Sequence, residues 1–464
     1  EKSSILGVSN FDNLRVCSCK VLTCIFKHRP DQRPFILNEI LSNFDKLPTQ
    51  KVAARRFKLN RGGNIQLTTV LLLNLLQSFD VSRLSQDANE AGQINSDEKH
   101  NSFVENKRKT IMENACLLHE EVIRTSNDIA TFLMNRLYNN PDSQQKQYLE
   151  LLLEDLLAVV VLPEWPSAEI LLLSIFKALL YVIQSGTYSS QIETSALELA
   201  GLVGAKIFEL KQSSTDVHQF NVNSTNEDIL FYSGCFMDSL EYVQVQSMKN
   251  KDYISAFRLL LLKSICRLKI IVQNSSHSNT ENQLAALNSD NDSSSQPVTV
   301  KHDVNLLYGR LLSILADDNI NLNQTLKSNM DTQSIFSYSH ILLTQELLSL
   351  FDSFLNVIVN TLDSTKVKSK TKAIRTLSSL IDIDPTLLVS PKIQESVSKR
   401  LLDSSPLVRD AVIDLISRFM SSKPEVIDQF HKPICDRLND ESIQVRKRVI
   451  KLSKDMYLKT DNNS

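Results

Sequence analysis

The sequence predicts an all-α protein built from stacked helical hairpins, and three observations lead to this prediction. Apolar runs such as Leu149–Val161 and Phe257–Val272 exceed the length of ordinary strands and repeat apolar residues at helical spacing. The 464 residues include nine glycines, about 2% against a usual share of about 7%, so turns that need positive φ are few. Towards the end of the chain, one local pattern recurs after 37 residues.

The recurring pattern is an aspartate, a short polar turn and a Val-Arg pair that begins an apolar helix. It occurs at Asp403 with Arg409 and at Asp440 with Arg446, and a weaker copy begins at Asp363. Two helices in a unit of about 40 residues are typical of HEAT and armadillo arrays. The sequence therefore predicts an α-α superhelix, a curved HEAT-repeat solenoid, with disordered polar insertions.

The aspartate and arginine of this pattern have a structural interpretation. An aspartate just before a helix accepts hydrogen bonds from free backbone amides, and its loss costs on the order of 1 kcal/mol. The spacing also lets each aspartate pair with an arginine of a neighbouring repeat. The predicted structural repeat signature consists of Asp403, Arg409, Asp440 and Arg446.

Composition divides the chain into four segments. In order they predict N-terminal helices with a basic linker, a HEAT-like N-terminal part of the solenoid, a disordered Ser/Asn/Asp-rich insertion, and regular HEAT repeats: residues 1–64, 65–273, 274–302 and 303–464. A second polar insertion is expected near residues 80–100, and an irregular lead-in before Val16. Because the chain starts without Met, we expect it to be a fragment of a longer protein.

No catalytic or metal-binding constellation stands out in the sequence. The run His119–Glu121 lacks the second histidine of a zinc-protease helix. Cys17, Cys19 and Cys24 lie close together without the second pair that a zinc site needs. No apolar run reaches the 18 or so residues of a membrane span. We therefore expect a non-enzymatic intracellular protein without cofactor, metal or membrane segment.

Positive charge is concentrated in the last hundred residues. Residues 364–464 contain 19 Lys and Arg against 13 Asp and Glu, whereas the whole chain has a net charge of −2. Two compact clusters are candidates for binding DNA phosphates along one ridge, with little sequence preference. The predicted DNA-binding residues are Lys366, Lys368, Lys370, Lys372, Arg375, Arg446, Lys447, Arg448, Lys451 and Lys454. The alternative interpretation is a solvated polar face.

A third basic cluster lies near the start of the chain. It consists of Lys51, Arg55, Arg56, Lys58 and Arg61. We interpret it as a flexible basic linker rather than a binding site.

Four segments have distinctive residue patterns. They are Ser369–Pro385, Arg400–Phe419, Val445–Lys451 and, upstream, Pro163–Leu173 with its Pro-Glu-Trp-Pro run. The first three resemble repeats of the Nipped-B family of cohesin loaders, and Pro163–Leu173 resembles another characteristic segment of that family. The Asn- and Ser-rich insertions suggest a fungal member.

This resemblance implies a nuclear, chromatin-associated scaffold. It implies binding to double-stranded DNA and to the cohesin complex, through the SMC ATPase heads and the kleisin, with DNA clamped against the heads and ATP hydrolysis stimulated there. It also implies a helical-repeat loader partner held by an N-terminal arm, which is not recognisable in this chain. The alternative function is a HEAT-repeat protein-binding scaffold, of the transport receptor or adaptor type, without DNA binding. An acidic inner stripe would favour that alternative.

Overall fold

A computed structural model confirms the all-α HEAT-repeat fold. The structure describes residues 8–43, 57–60, 62–79, 100–139, 143–213, 239–240, 242–245, 253–267, 346–422 and 427–461. The predicted insertions at 80–100 and 274–302 lie outside these ranges, apart from residue 100. The first regular repeats expected after residue 303 also lie outside them, up to residue 345.

The helices follow the apolar periodicity of the sequence. Up to residue 213 they are α1 (Val8–His28), α2 (Arg33–Ser42), α3 (Leu67–Gln77), α4 (His100–Asn139), α5 (Ser143–Val159), α6 (Pro166–Ser185) and α7 (Ser190–Ser213). From residue 346 they are α8 (Glu346–Thr361), α9 (Val367–Ile383), α10 (Pro391–Arg400), α11 (Pro406–Ser422), α12 (Ile427–Cys435) and α13 (Ile443–Asp461). Residues 254–267 form another helical segment. Two short strands, β1 (Phe57–Lys58) and β2 (Asn64–Ile65), precede α3.

The first helix is longer than the sequence analysis predicts. α1 begins at Val8, so the irregular lead-in expected before Val16 is wrong for residues 8–15, and residues 1–7 lie outside the described residues. Val8, Phe11 and Leu14 continue the three-residue spacing of apolar side chains, which is enough to extend the helix by two turns.

Part of the predicted basic linker is a β-hairpin. β1 pairs antiparallel with β2, and Gly62 and Gly63 in the connecting turn have φ of 91° and 83°. Only glycine adopts this left-handed region without a steric penalty at Cβ. The Leu59 amide closes the turn by donating to the Gly63 carbonyl oxygen at 3.1 Å. Lys58 of the third basic cluster lies in β1, and its other members lie outside the described residues.

The chain forms two compact units that interleave along the sequence. Unit 1 draws on Glu1–Leu133, Leu151–Ser174 and Gln219–Gln345, and unit 2 on Met134–Glu150, Ile175–His218 and Glu346–Ser464. The four-segment division stays a prediction, because the proposed boundary at 274–302 is outside the described residues.

Polar groups anchor the core of unit 1. The Asp155 carboxylate accepts a hydrogen bond from the Gln66 amide at 2.8 Å and another from Thr69 Oγ1 at 2.9 Å. It therefore satisfies free donors at the start of α3, where a negative charge also interacts favourably with the positive end of the helix dipole. Trp165 is 7% exposed and packs edge-on against Phe57 with ring centroids 6.2 Å apart. The tryptophan of the Pro-Glu-Trp-Pro run is thus a packing residue.

The apolar helix α6 belongs to the protein core. By length and composition it could cross a membrane, but 78% of its most apolar 18-residue window is buried. In unit 2, its residues Ile175, Phe176 and Leu179 are fully buried. The Phe176 ring lies 5.6 Å from that of Phe354 in α8.

Unit 2 contains the regular repeats. Its part from residue 346 onward consists of three successive helix pairs, α8 with α9, α10 with α11, and α12 with α13. We call the first helix of each pair the A helix and the second the B helix. α9 contacts α7 on one side and α11 on the other, and α11 contacts α13. Buried apolar side chains accompany these helix contacts, among them Ile374 and Leu377 of α9 and Val412 and Ile416 of α11.

Candidate nucleic-acid interface

Buried ion pairs connect successive B helices, and we call this series the ladder. Arg409 of α11 donates to the Asp440 carboxylate from Nε at 2.8 Å and from Nη2 at 2.7 Å. The two side chains are 10% and 1% exposed. Arg409 Nη1 donates to the carbonyl oxygen of Asp403 at 2.7 Å. One guanidinium therefore binds its own turn and the turn of the next repeat.

The preceding rungs of the ladder use lysines. Lys370 donates to Asp403 Oδ2 at 2.6 Å, and both side chains are less than a tenth exposed. One step earlier, Glu193 of α7 accepts from Ser369 Oγ at 2.9 Å and from Lys366. Lys366 and Lys370, two of the predicted DNA-binding residues, thus hold carboxylates within unit 2.

The ladder aspartates also shape the turns before the B helices. Asp403 Oδ1 accepts from the Ser405 amide at 3.0 Å, and Asp440 Oδ1 accepts from the Ser442 amide at 2.9 Å. Each aspartate lies three residues before the first residue of its helix. They therefore stabilise the turn leading into the helix rather than serving as the N-cap residue itself.

The ladder keeps both aspartates ionised. Burial disfavours the charged form of Asp403, but the hydrogen bonds from Lys370 and the Ser405 amide outweigh it, and its pKa lies below 3.8. Burial acts in the same way on Asp440. There, the hydrogen bonds from Arg409 and the Ser442 amide lower the pKa below 3.8.

The exposed face of the B helices contains a groove with a volume of about 600 Å³. Charged side chains of both signs line it, including Lys368, Lys372, Arg375, Asp410, Asp414 and Arg448. Lys372 of α9 pairs with Glu198 of α7 at 2.6 Å. Arg448 of α13 reaches α11, where its Nε lies 2.6 Å from Asp410 Oδ1 and its Nη1 pairs with Asp414. These two cations also cross-link neighbouring helices.

Five of the ten predicted cations are exposed and have no carboxylate partner among the residues that the structure describes. They are Lys368, Arg375, Lys447, Lys451 and Lys454. Lys368 and Arg375 lie on α9 and the other three on α13. Arg446 is half-buried, and its Nη1 donates to the carbonyl oxygens of Asp440 and Glu441. We call the five exposed residues the outer cations.

α11, with Asp410 and Asp414 on its exposed face, separates the two groups of outer cations. Counting from the ladder positions Lys370, Arg409 and Arg446, the residue five places on is Arg375 in α9, Asp414 in α11 and Lys451 in α13. The charge at this repeat position thus runs positive, negative, positive. The two basic clusters do not form an uninterrupted ridge, because Asp410 and Asp414 lie between them.

The acidic partners of this surface were not predicted from the sequence. Glu193 and Glu198 belong to no motif, and Asp410 and Asp414, which share a helix face at a spacing of four residues, lie in Arg400–Phe419 without having been assigned a role. Within the described residues, no group of three or more His, Cys, Asp or Glu could hold a metal ion.

Comparison with known proteins gives consistent matches. A family model described as a HEAT repeat associated with sister chromatid cohesion matches residues 375–416, which cover most of α9 through α11. Sister chromatid cohesion protein 2 of Saccharomyces cerevisiae is 27% identical over 461 residues. Nipped-B-like protein of Homo sapiens is 26% identical over 475 residues. These alignments cover 98% and 97% of this chain.

A solved structure supports the fold. The C-terminal fragment of the Chaetomium thermophilum cohesin loader SCC2 matches 98% of this chain with a TM-score of 0.76 at 23% identity. The chain spans 28% of the length of the yeast relative, 16% of the human one and 34% of the solved fragment.

Proposed function

The chain is homologous to the Nipped-B family of cohesin loaders over nearly its whole length, and we propose that it is a DNA- and cohesin-binding scaffold. In this proposal it acts at chromatin in the nucleus and helps to load cohesin. It performs no bond chemistry of its own. It clamps DNA against the ATPase heads of cohesin and thereby stimulates ATP hydrolysis by its partner.

The outer cations carry the DNA-binding part of the proposal. Lys368 and Arg375 on α9 and Lys447, Lys451 and Lys454 on α13 are exposed, and no ion pair within the described residues neutralises them. Exposed cations on a rigid helical array suit the phosphate backbone, because each contact releases counterions without reading a base. We leave Lys370 out of this DNA-binding set because it is buried against Asp403.

The other proposed partners rest on the similarity to the family. Contacts with the SMC heads and the kleisin, and with a helical-repeat loader partner, are proposed on the homology alone. These contacts concern the whole proteins. This chain spans less than a third of the length of either relative described above.

One observation favours the alternative of a protein-binding scaffold without DNA binding. Asp410 and Asp414 place negative charge in the centre of the exposed face. Arg448 and Arg418 pair with these carboxylates, so this part of the face offers phosphates no net positive charge and suits a protein partner with groups of both signs. The experiment below therefore tests DNA binding first.

The test is fluorescence anisotropy of the full chain with a random 30-base-pair duplex, titrated through salt. The variant carries K447E, K451E and K454E, which spares Arg448 and its two carboxylate partners. We expect weaker binding to duplexes of any sequence and a salt slope that is shallower by about 2.7, at about 0.9 per lost phosphate contact.

A matched control reverses three exposed lysines on A helices, K392E, K399E and K432E. It changes the net charge by the same amount away from the groove, and we expect it to weaken binding much less. Equal losses in both variants would contradict the assignment to α13 and leave only general charge attraction. Absence of binding by the unsubstituted chain at low salt would favour the protein-binding scaffold.

A further inference from the structure

Two cysteines from distant parts of the sequence meet in unit 1. The Sγ atoms of Cys116 in α4 and Cys266 in the helical segment 254–267 lie 3.8 Å apart. Both residues are half-buried, so a small oxidant in solution can reach them. They are separated by 150 residues and lie on different helices.

We propose that Cys116 and Cys266 form a reversible disulfide in response to peroxide. This modification site is independent of the DNA-binding proposal, because the outer cations all lie in unit 2.

The geometry needs little movement. A disulfide has an S–S distance of about 2.05 Å, so each sulfur must move by about 1 Å from its present position. Rotation of a cysteine side chain about its Cα–Cβ bond moves the sulfur by distances of this size.

The chemistry balances with hydrogen peroxide as the oxidant. The thiolate of one cysteine attacks a peroxide oxygen, which gives a sulfenic acid and, after protonation, one water molecule. The second thiolate then attacks the sulfenic sulfur and displaces hydroxide, which takes up a proton and becomes a second water molecule. Overall, two thiols lose two protons and two electrons, and one peroxide is reduced to two water molecules. A dithiol reductant reverses the bond by exchange.

The other described cysteines do not offer a comparable pair. Cys17, Cys19 and Cys24 all lie on α1. Within one helix, residues two apart point to opposite sides, and residues five or seven apart are separated by about 7.5 or 10.5 Å of rise. These distances exceed what a disulfide spans. Cys435 lies in α12 with His431 Nε2 3.7 Å from its sulfur.

The disulfide would fix one side of the core of unit 1. Segment 254–267 also carries Lys263, whose ammonium group is buried against Glu169 of α6. A covalent bond at Cys266 would add a tie to α4 on the same segment. We therefore expect oxidation to raise the urea midpoint for unfolding, as cross-links between distant residues do.

The test treats the full chain with hydrogen peroxide, blocks the remaining thiols with an alkylating agent, and maps the digest by mass spectrometry. We expect a linked Cys116–Cys266 peptide, a fall from seven to five titratable thiols, and recovery of all seven with dithiothreitol. The variants C116S and C266S should each lack the linked peptide and the rise in urea midpoint. C435S should behave like the unsubstituted chain.

Three outcomes would overturn the proposal. The first is peroxide loss of these thiols to sulfinic acid without a linked peptide. The second is a disulfide that joins Cys116 or Cys266 to another cysteine in preference. The third is a rise in urea midpoint that persists in C116S. Serine is close to cysteine in size, and the urea curve of reduced C116S shows directly whether the variant folds.

Discussion

The ladder and the outer cations use the same residue types on the same helices with different outcomes. In the ladder, Lys370 and Arg409 are almost fully buried and each faces one aspartate of the next repeat. Two and five residues from Lys370 on the same helix, Lys368 and Arg375 are exposed and have no carboxylate partner among the described residues. The difference lies in burial: a cation removed from water needs its partner to be present, whereas an exposed cation is free to exchange water for another anion. We therefore expect removal of one ladder partner to cost stability, whereas the outer cations are available for binding.

The largest expected effect comes from breaking a rung of the ladder. R409A leaves Asp440 as a buried charge without its main partner, and we expect a loss of about 3–5 kcal/mol in unfolding free energy. This exceeds the 1 kcal/mol or so that the N-cap interpretation assigns to the aspartate. Urea unfolding measures the loss. The double variant R409M/D440L should recover much of it, and full additivity of the two single changes would show that the pair is not coupled.

Acid should weaken the same ladder. The pKa values of Asp403 and Asp440 are lower in the folded protein than the ordinary 3.8. Their contribution to stability is therefore complete above about pH 5 and is lost as the pH falls through and below 3.8. Urea midpoints measured between pH 7 and pH 2.5 should fall, and the fall should be smaller in D403N/D440N. An equal fall in that variant would assign the acid sensitivity to other groups.

Charge reversal on α9 should act on binding instead. K368E/R375E removes two exposed cations, and we expect DNA affinity to drop on the order of tenfold at moderate salt. The unfolding free energy should change by less than about 0.5 kcal/mol, because both residues are exposed surface groups. Anisotropy and urea unfolding on the same samples separate the two effects. A large stability loss with unchanged affinity would reverse the assignment of this region.

A capping aspartate outside the ladder provides a smaller stability effect. Asp384 Oδ1 accepts from the Thr386 amide at 2.8 Å at the start of the short helix Pro385–Val389, and Oδ2 accepts from Gln212. We expect D384A to cost about 1 kcal/mol, as is usual for a lost cap. Urea unfolding beside R409A makes the comparison. A cost as large as that of R409A would mean that burial of the ladder is not what distinguishes the two.

The smallest expected effect is a gain of affinity. D410N/D414N removes the two charges between the basic groups and releases Arg448 from its partners. We expect DNA affinity to rise about threefold, with a steeper salt slope because Arg448 becomes available to a phosphate. Anisotropy through salt detects both changes. A lower DNA affinity of this variant would show that Arg448, as positioned by Asp410, contacts DNA.

The helices and the repeat were accessible from the sequence because both depend on local spacing. Apolar residues three and four apart determine α9 and α11, and the Asp-to-Arg pattern at Asp403 recurs after 37 residues at Asp440. The β1–β2 hairpin could not be predicted from the sequence, because two-residue strands carry no periodic signal and only the Gly62-Gly63 pair marks the turn.

The arrangement of the charged surface could be predicted from the sequence only in part. Lys366, Lys368, Lys370 and Lys372 look like one cluster, but residues two apart on a helix point to opposite sides. Lys368 is therefore exposed while Lys370 is buried, a division that helical periodicity alone predicts. The partners of the buried residues are not predictable in this way. Glu193 and Asp403 come from other repeats, and packing rather than sequence distance brings them close.

The spacing of the ladder has a consequence for how such a chain can change in length. Lys370 reaches Asp403, and Arg409 reaches Asp440, over intervals of 33 and 31 residues. Excision of residues 403–439 would bring Asp440 to the place of Asp403 and leave Lys370 opposite a carboxylate. We therefore expect removal of a whole repeat to keep the ion pairing, whereas a deletion of part of one repeat would leave a buried cation without its carboxylate.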